Sequence, residues 1–349
     1  MSLFDGMLKG DESLFVNEIV LDYDYLPKLL PFRENQQFYL ASCVRPLFQG
    51  RNGKNVLISG MPGIGKTAAI KFVLRDLENQ TNDIDVVYVN CWKKSSAHKI
   101  VLEICDKIGY KWTANKNTDE LMKSIAIILN KKAVIIALDE VDKLEEQQII
   151  YLLLEEIEKK CLFLITNEED WLDKLDSRIK SRLVPEVVNF EPYNQDETFK
   201  ILKQRADAAF VPGVWNEEAM QKIADKAYEF EDIRLGLFLL REAGNVAEMK
   251  GSKKIIEEYA LKAIEKVHLY SAKKPENLTE EEKLILEMVK LNSGKSALEL
   301  YELYKTENNK SYRTFYRKLK TLEVGRFLTI NEVRMANGGL TSAVEMGIL

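Results

Sequence analysis

A chain of 349 residues has room for two or three domains, each with its own core. Its 46% apolar and 30% charged residues are ordinary for a globular protein, and a net charge of −5 excludes a polycation basic over its whole surface. Cys43, Cys91, Cys105 and Cys161 lie far apart, and the two histidines, His98 and His268, have no zinc-ligand spacing. No zinc and a reducing interior are therefore expected. Residues 1–12 carry no basic-then-apolar leader and no apolar run is of membrane-spanning length, so the expectation is a cytoplasmic protein without a membrane partner.

Residues 1–35 lack strong periodicity and read as an N-terminal arm closed by Pro31-Phe32-Arg33-Glu34-Asn35; helical spacing then covers 36–48. Next comes Asn-Val-Leu-Ile-Ser-Gly-Met-Pro-Gly-Ile-Gly-Lys-Thr over 55–67. A short apolar run ends at Gly60, and Gly65-Lys66-Thr67 follows at G-x-x-x-x-G-K-[ST] spacing. Gly60, Gly63 and Gly65, with Met61, Pro62 and Ile64 between them, can turn backbone N–H groups inward around phosphate oxygens. Lys66 has the reach for β- and γ-phosphates, and the Thr67 hydroxyl suits Mg²⁺. Helical spacing over 68–77 points a helix N-terminus at the anion. The chain therefore reads as a binder of a nucleoside triphosphate. An arm in front of such a loop either packs on the core or covers the adenine, with Pro31 and Phe32 as apolar walls and Arg33 nearby; the pattern leaves both open.

A second strand is expected over 85–90, a helix over 97–108, a polar and basic stretch with two aromatics over 109–117, and a helix from Thr118. Continuous apolar residues over 133–138 predict a strand buried on both faces, running into Asp139-Glu140. Asp139 is suited to hold Mg²⁺ and Glu140 to polarise the attacking water. Further strands are expected over 162–166, ending at Asn167, and over 187–190. An amide at Asn167 either contacts the γ-phosphate or water, or merely caps the strand. Strands alternating with helices predict an α/β parallel sheet covered on both sides, over 36–193.

From Tyr193 the pattern is all-helical. Asn194 and Glu197 form a capping box, and helices are expected from Asn216, over 232–247 and over 253–267, giving a helical lid domain over 194–270. Residues 271–278, with Pro275, read as a linker. Over 279–349, a capping box at Thr279 and Glu282 opens helices 280–291, 297–306 and 311–322. Extended pieces over 326–330 and 341–346 follow, around Gly338-Gly339. Three helices and then a hairpin is the order of a winged helix-turn-helix.

In the third of these helices Phe315, Leu319 and Leu322 share one face, while Arg313, Arg317 and Lys320 line another. Between 310 and 334, Lys310, Arg313, Arg317, Lys318, Lys320, Arg326 and Arg334 stand against Glu323 and Glu332, a local charge of +5. Such a stripe fits double-stranded DNA, although a solvated face of a protein-binding winged helix has the same pattern.

Taken together, these motifs resemble the archaeal replication initiators related to the origin recognition complex and the cell-division-control loader. These are AAA+ ATPases with a C-terminal winged helix. The resemblance runs from about residue 14 to the end. It rests on Leu30-Pro31-Phe32-Arg33-Glu34, Leu175-Asp176-Ser177-Arg178-Ile179-Lys180-Ser181-Arg182-Leu183, Phe190-Glu191-Pro192-Tyr193, Asp232-Ile233-Arg234 and Leu239-Leu240-Arg241-Glu242-Ala243-Gly244.

The resemblance implies an arginine finger from a neighbouring subunit at Arg182, with Arg178 as second choice, and a lid arginine sensing γ-phosphate at Arg234. It also implies origin-like duplex DNA, a replicative helicase and paralogous initiators as partners, and ATP/ADP with Mg²⁺ as cofactors. Glu231 stands where the family tends to have glycine, and the wing tip 334–337 has one basic residue where relatives often have several. Residues 110–117 fall where the family inserts a second DNA-contacting helix. Two other readings stay open: a clamp-loader-like AAA+ remodeller whose winged helix binds protein, and a signalling or defence ATPase with nucleotide as a conformational lock.

Overall fold

The computed structural model describes residues 13–267, 278–306, 308, 310–324, 327–334 and 340–346. Residues 271–277 of the expected linker and the Gly338-Gly339 turn lie outside them. The chain divides into two compact units, Leu26–Tyr193 and, with the arm up to Tyr25, Asn194–Leu349. No helix among the described residues is long and apolar enough to cross a membrane.

The first unit is built on five strands: β1 (Val56–Gly60), β2 (Ile84–Asn90), β3 (Ala133–Asp139), β4 (Lys160–Ile165) and β5 (Glu186–Phe190). Their order is β2-β3-β4-β1-β5, and every pair is parallel. β1 and β3 are buried along their whole length, which is why they read as unbroken apolar runs. Around the sheet pack α1 (Glu34–Val44), α2 (Lys66–Gln80), α3 (Ala97–Lys107), α4 (Thr118–Leu129), α5 (Gln148–Glu156) and α6 (Ser177–Leu183). The single helix expected over 36–48 is instead α1 followed by a 3-10 turn, Arg45–Gln49. Pro46 has no N–H to continue the α-helical ladder, and Gly50 at φ 68° ends the turn. Residues 110–117 form no helix; Asn117 is the N-cap of α4, in a capping box with Glu120.

In the second unit α7 (Gln195–Ala209), α8 (Glu217–Glu229), α9 (Ile233–Met249) and α10 (Glu257–Glu265) form a helical bundle, opened by the Asn194–Glu197 capping box. The helix expected from Lys253 begins only at Glu257, because Ile255 pairs with Trp215 as a bridge and donates its N–H to Val214 O at 2.7 Å. Leu14, Val20 and Leu21 of the arm are buried in the bundle core, and Phe15 bridges Phe210.

The same unit contains α11 (Glu280–Leu291), α12 (Ala297–Lys305), α13 (Tyr312–Val324) and an antiparallel hairpin of β6 (Leu328–Arg334) and β7 (Leu340–Met346). Ile285, Val289, Leu300, Tyr304, Phe315, Leu319, Leu322, Leu328 and Val344 close their core. The apolar face of α13 is the one its spacing predicts. β6 continues past the expected end at Ile330, because residues through Arg334 stay in register with β7.

Candidate nucleotide-binding site

The loop between β1 and α2 lies beside the C-terminal ends of the central strands, the position at which parallel α/β sheets receive ligands. Its shape depends on glycine. At Gly60, φ is 143° and a Cβ would stand 2.5 Å from Phe190 O; at Gly65, φ is 88° and a Cβ would stand 2.8 Å from Tyr193 Oη. The first clash, with strand backbone, would push the loop off β5; at Gly65 the Tyr193 side chain would have to give way, and the positive φ itself favours glycine. Gly63 also has positive φ, at 82°, while Ile64 is buried and anchors the loop in the core below. Met61 packs partly against that core.

Lys66 opens α2 with its side chain folded back across the loop. Its Nζ donates to Gly60 O at 2.8 Å, Met61 O at 2.7 Å and Asn167 Oδ1 at 2.8 Å. Thr67 Oγ1 donates to Asp139 Oδ2 at 2.7 Å, and the Tyr88 hydroxyl donates to the same oxygen at 2.6 Å. Burial beside the Asp139 carboxylate holds the Tyr88 hydroxyl far above its ordinary range, so it stays a donor. A hydroxyl and a buried carboxylate this close form a hard-oxygen pair, and among the described residues no group of three or more acidic, Cys or His side chains could hold a metal. That donor set fits Mg²⁺, which takes one or two protein oxygens and fills its octahedron with water and phosphate.

Glu140 follows Asp139 with φ 58°, a left-handed conformation uncommon for a side-chain-bearing residue. Its carboxyl is raised above the usual range, first by burial and then by Asp139 and Asp142, with Asn90 and Lys143 opposing. Burial alone would raise the Asp142 carboxyl too, but Lys143 and the Asn167 N–H hold it below its ordinary value. Asp142 accepts from Thr166 Oγ1 at 3.2 Å and from Asn167 N at 3.3 Å, and so fixes the β4 tip. The structure thus brings Lys66, Thr67, Asp139 and Asn167 together by direct bonds, with Glu140 next in chain. The sequence does not single out Tyr88, Asn90 or Asp142; only Asn90, a polar residue at the end of the strand beside β3, carried a local signal.

Arg178 and Arg182 lie on α6. Arg178 is exposed and pairs with its own N-cap, Asp176, at 3.4 Å; Arg182, half exposed, pairs with Glu155 and stacks on Tyr151. Arg33 is buried, its Nη2 bonded to Ile64 O and Glu191 O.

In the second unit Arg234, in the first turn of α9, is held by Asp232 through Nε and Nη2, each at 3.1 Å. Five of the basic positions expected to meet DNA, Lys310, Arg313, Arg317, Lys318 and Lys320, are paired with acidic side chains. Glu231 pairs with Arg313 and, at 3.7 Å, with Arg317; Lys320 reaches Glu323 at 3.0 Å and Glu229 at 3.9 Å. Lys310 and Lys318 converge on Glu281 at 3.1 and 2.6 Å. Burial would raise the Glu281 carboxyl, but Lys318 and Tyr304 pull it down to about 2. The side chain of Arg334 lies outside the described residues.

Residues 50–169 match the family model of an AAA domain, and residues 199–265 that of a Cdc6 AAA+ ATPase-type lid domain. The ORC1-type DNA replication protein 2 of Methanothermobacter thermautotrophicus is 30% identical over 96% of this chain and 91% of its own. The ORC1-type DNA replication protein 3 of Haloarcula marismortui is 31% identical over 91% and 89%. Among solved structures, the Aeropyrum pernix ORC1 protein in complex with DNA superposes with a TM-score of 0.69 at 26% identity, over 97% of this chain and 95% of that one. Cdc6p from Pyrobaculum aerophilum shares the fold, with a TM-score of 0.65 at 21% identity over 96% and 95%. A phosphate loop on a parallel sheet, a lid of the Cdc6 type and this similarity along nearly the whole chain place the protein in the family of ORC1/Cdc6-type replication initiators, which are AAA+ ATPases.

Proposed function

We propose that this protein is an ATP-switched replication initiator that binds origin-like duplex DNA through α13, with 36–193 as nucleotide domain, 194–270 as lid and 279–349 as DNA-binding domain. The observation that carries the reading is a helix with one apolar and one basic face, in a three-helix-plus-hairpin fold, on the same chain as the ATPase site. The DNA complex of the Aeropyrum pernix relative supports it.

In this mechanism the backbone of 60–65 and Lys66 grip the phosphates. Thr67 and Asp139 would hold Mg²⁺, which when bound draws charge from the phosphate oxygens. Glu140 accepts a proton from the attacking water, and Asn167 orients that water against the γ-phosphate. Arg234 senses the γ-phosphate in cis, and Arg182 or Arg178 of a neighbouring subunit completes the site; turnover is therefore slow for an isolated subunit. Lys310, Arg313, Arg317, Lys318, Lys320 and Arg334 bind DNA phosphates and groove edges. The same reading extends to loading a replicative helicase alongside paralogous initiators.

Nuclease footprinting of duplex DNA flanking the protein's own gene, with ATP and with ADP, tests the proposal. A discrete protected site is expected. ATP-driven ring assembly without protection would favour the remodeller instead.

Two substitutions refine the DNA contact. Arg317→Ala is expected to weaken duplex binding and to lower the slope of log affinity against log salt by about 0.9. An unchanged slope in a fluorescence-anisotropy salt titration would remove Arg317 from the interface. Glu231→Gly is expected to raise duplex affinity several-fold in the same titration, because Glu231 competes with DNA for Arg313 and Arg317. At φ 53° glycine sits without the backbone cost of about 1–2 kcal/mol borne by other residues, and a thermal melt of the variant checks that losing the buried ion pairs leaves the fold intact. Equal affinity would mean that the ion pair does not limit binding.

A further inference from the structure

Arg33 is a cation only 4% exposed, and among the described residues its side-chain hydrogen bonds go to carbonyls, not to a carboxylate. Its guanidinium instead lies over the Tyr193 ring at 3.9 Å and beside Phe190 at 5.1 Å. One nitrogen, Nη2, donates to both Ile64 O at 2.9 Å and Glu191 O at 2.7 Å, while Nε has no hydrogen-bond partner. Two ring faces and two carbonyls must offset the cost of burying this charge, which holds the guanidinium in one place between the loop and β5. The residue before it supports this view, since Phe32 adopts φ 64°, a strained conformation that turns the chain inward at Arg33.

The target of that hydrogen bond is informative. Ile64 is the loop residue between Gly63 and Gly65, both at positive φ, where the backbone is least constrained by its own sterics. A trans peptide points its C=O and the following N–H in opposite directions. Holding Ile64 C=O toward Arg33 therefore fixes the Gly65 N–H on the opposite side, the side on which the loop presents its amides. Tyr193, the ring beneath the guanidinium, also backs Gly65, as its hydroxyl occupies the space a side chain there would need.

We infer that Arg33 is a positioning residue for the phosphate loop: it sets the orientation of the Ile64–Gly65 peptide and thereby acts on the polyphosphate half of the nucleotide, not on the adenine. This rests on the loop being the nucleotide site, and Lys66→Ala tests that premise separately.

The experiment measures ATP and GTP affinities by competition against a fluorescent ADP, together with steady-state kinetics, for wild type, Arg33→Met and Arg33→Lys. A brace on the loop predicts that Arg33→Met weakens ATP and GTP by the same factor, about tenfold or more, so that the ratio of the two affinities is kept. It also predicts a raised KM with kcat retained at saturating ATP, and recovery in Arg33→Lys, whose ammonium can meet the same two carbonyls. A loss confined to ATP would assign Arg33 to the adenine and overturn the inference, as would unchanged affinities or a fall in kcat at constant KM. Should Arg33→Met not fold, Tyr193→Leu removes the ring under the guanidinium; equal losses for the two nucleotides support the brace and unequal losses reject it.

Discussion

Lys66→Ala is expected to abolish nucleotide binding, with a loss of at least about a hundredfold. Lys66 donates to two loop carbonyls and to Asn167, so its ammonium is already aimed across the loop mouth. A charge-assisted bond from this group to a phosphate oxygen is about twice as strong as a neutral one. Alanine also removes the Nζ donor that the carbonyls of Gly60 and Met61 share, which loosens the loop that must present its amides. The readout is the nucleotide-induced rise in melting temperature. At a ligand concentration of about 100 Kd the wild type gains about 2.7 kcal/mol, a shift of several degrees. The variant, which binds at least about a hundredfold more weakly, should keep no more than about 0.4 kcal/mol of that gain. A wild-type shift in the variant would remove the loop as the nucleotide site.

Parts of this arrangement were legible in the sequence because they are local. Gly60, Gly65, Lys66 and Thr67 lie within one strand–turn–helix, so their spacing alone sets their geometry. Asp139 and Asn167 could be placed because each ends an apolar strand, and parallel strands bring their C-terminal tips to one edge. The helix α5 was missed although its pattern is local too. Its buried Ile149, Ile150 and Leu153 do recur at helical spacing, but nine residues, with Leu152 and Leu154 beside the buried ones, give that period little length over which to repeat. α6 has seven residues, too few to show a period.

Contacts between distant segments left no local trace. The Tyr88 hydroxyl on Asp139 depends on the register of β2 against β3. The pairing of Glu231 with Arg313 and Arg317 joins α13 to the end of α8, and no spacing rule connects those positions. The basic face of α13 was readable as a face; the acidic residues that meet it were not. At Glu231 the family resemblance implies a glycine, and the structure gives the departure a physical form, a carboxylate held at positive φ against two arginines.

Glu140→Gln is expected to retain nucleotide and lose turnover by about a hundredfold or more, in the range by which a positioned general base accelerates a reaction. The glutamine amide preserves shape and hydrogen bonding but cannot take a proton. The backbone at φ 58° is unaffected by the change, and the Lys66–Asn167 and Thr67–Asp139 bonds are kept, so the thermal shift on nucleotide addition should match that of the wild type. The pH profile adds a second, independent mark. The base must be ionised to act, and its carboxyl is raised by burial and by its neighbours Asp139 and Asp142. The acid limb of kcat/KM, which reports the free enzyme, should therefore lie above the ordinary glutamate range near pH 4.3, with activity falling as pH drops through it. Loss of Asp142 as a carboxylate removes one of the charges that raise Glu140, so Asp142→Asn should move that limb to lower pH while Glu140→Gln abolishes it. Wild-type hydrolysis by Glu140→Gln, measured as phosphate release under single-turnover conditions, would show that another group activates the water.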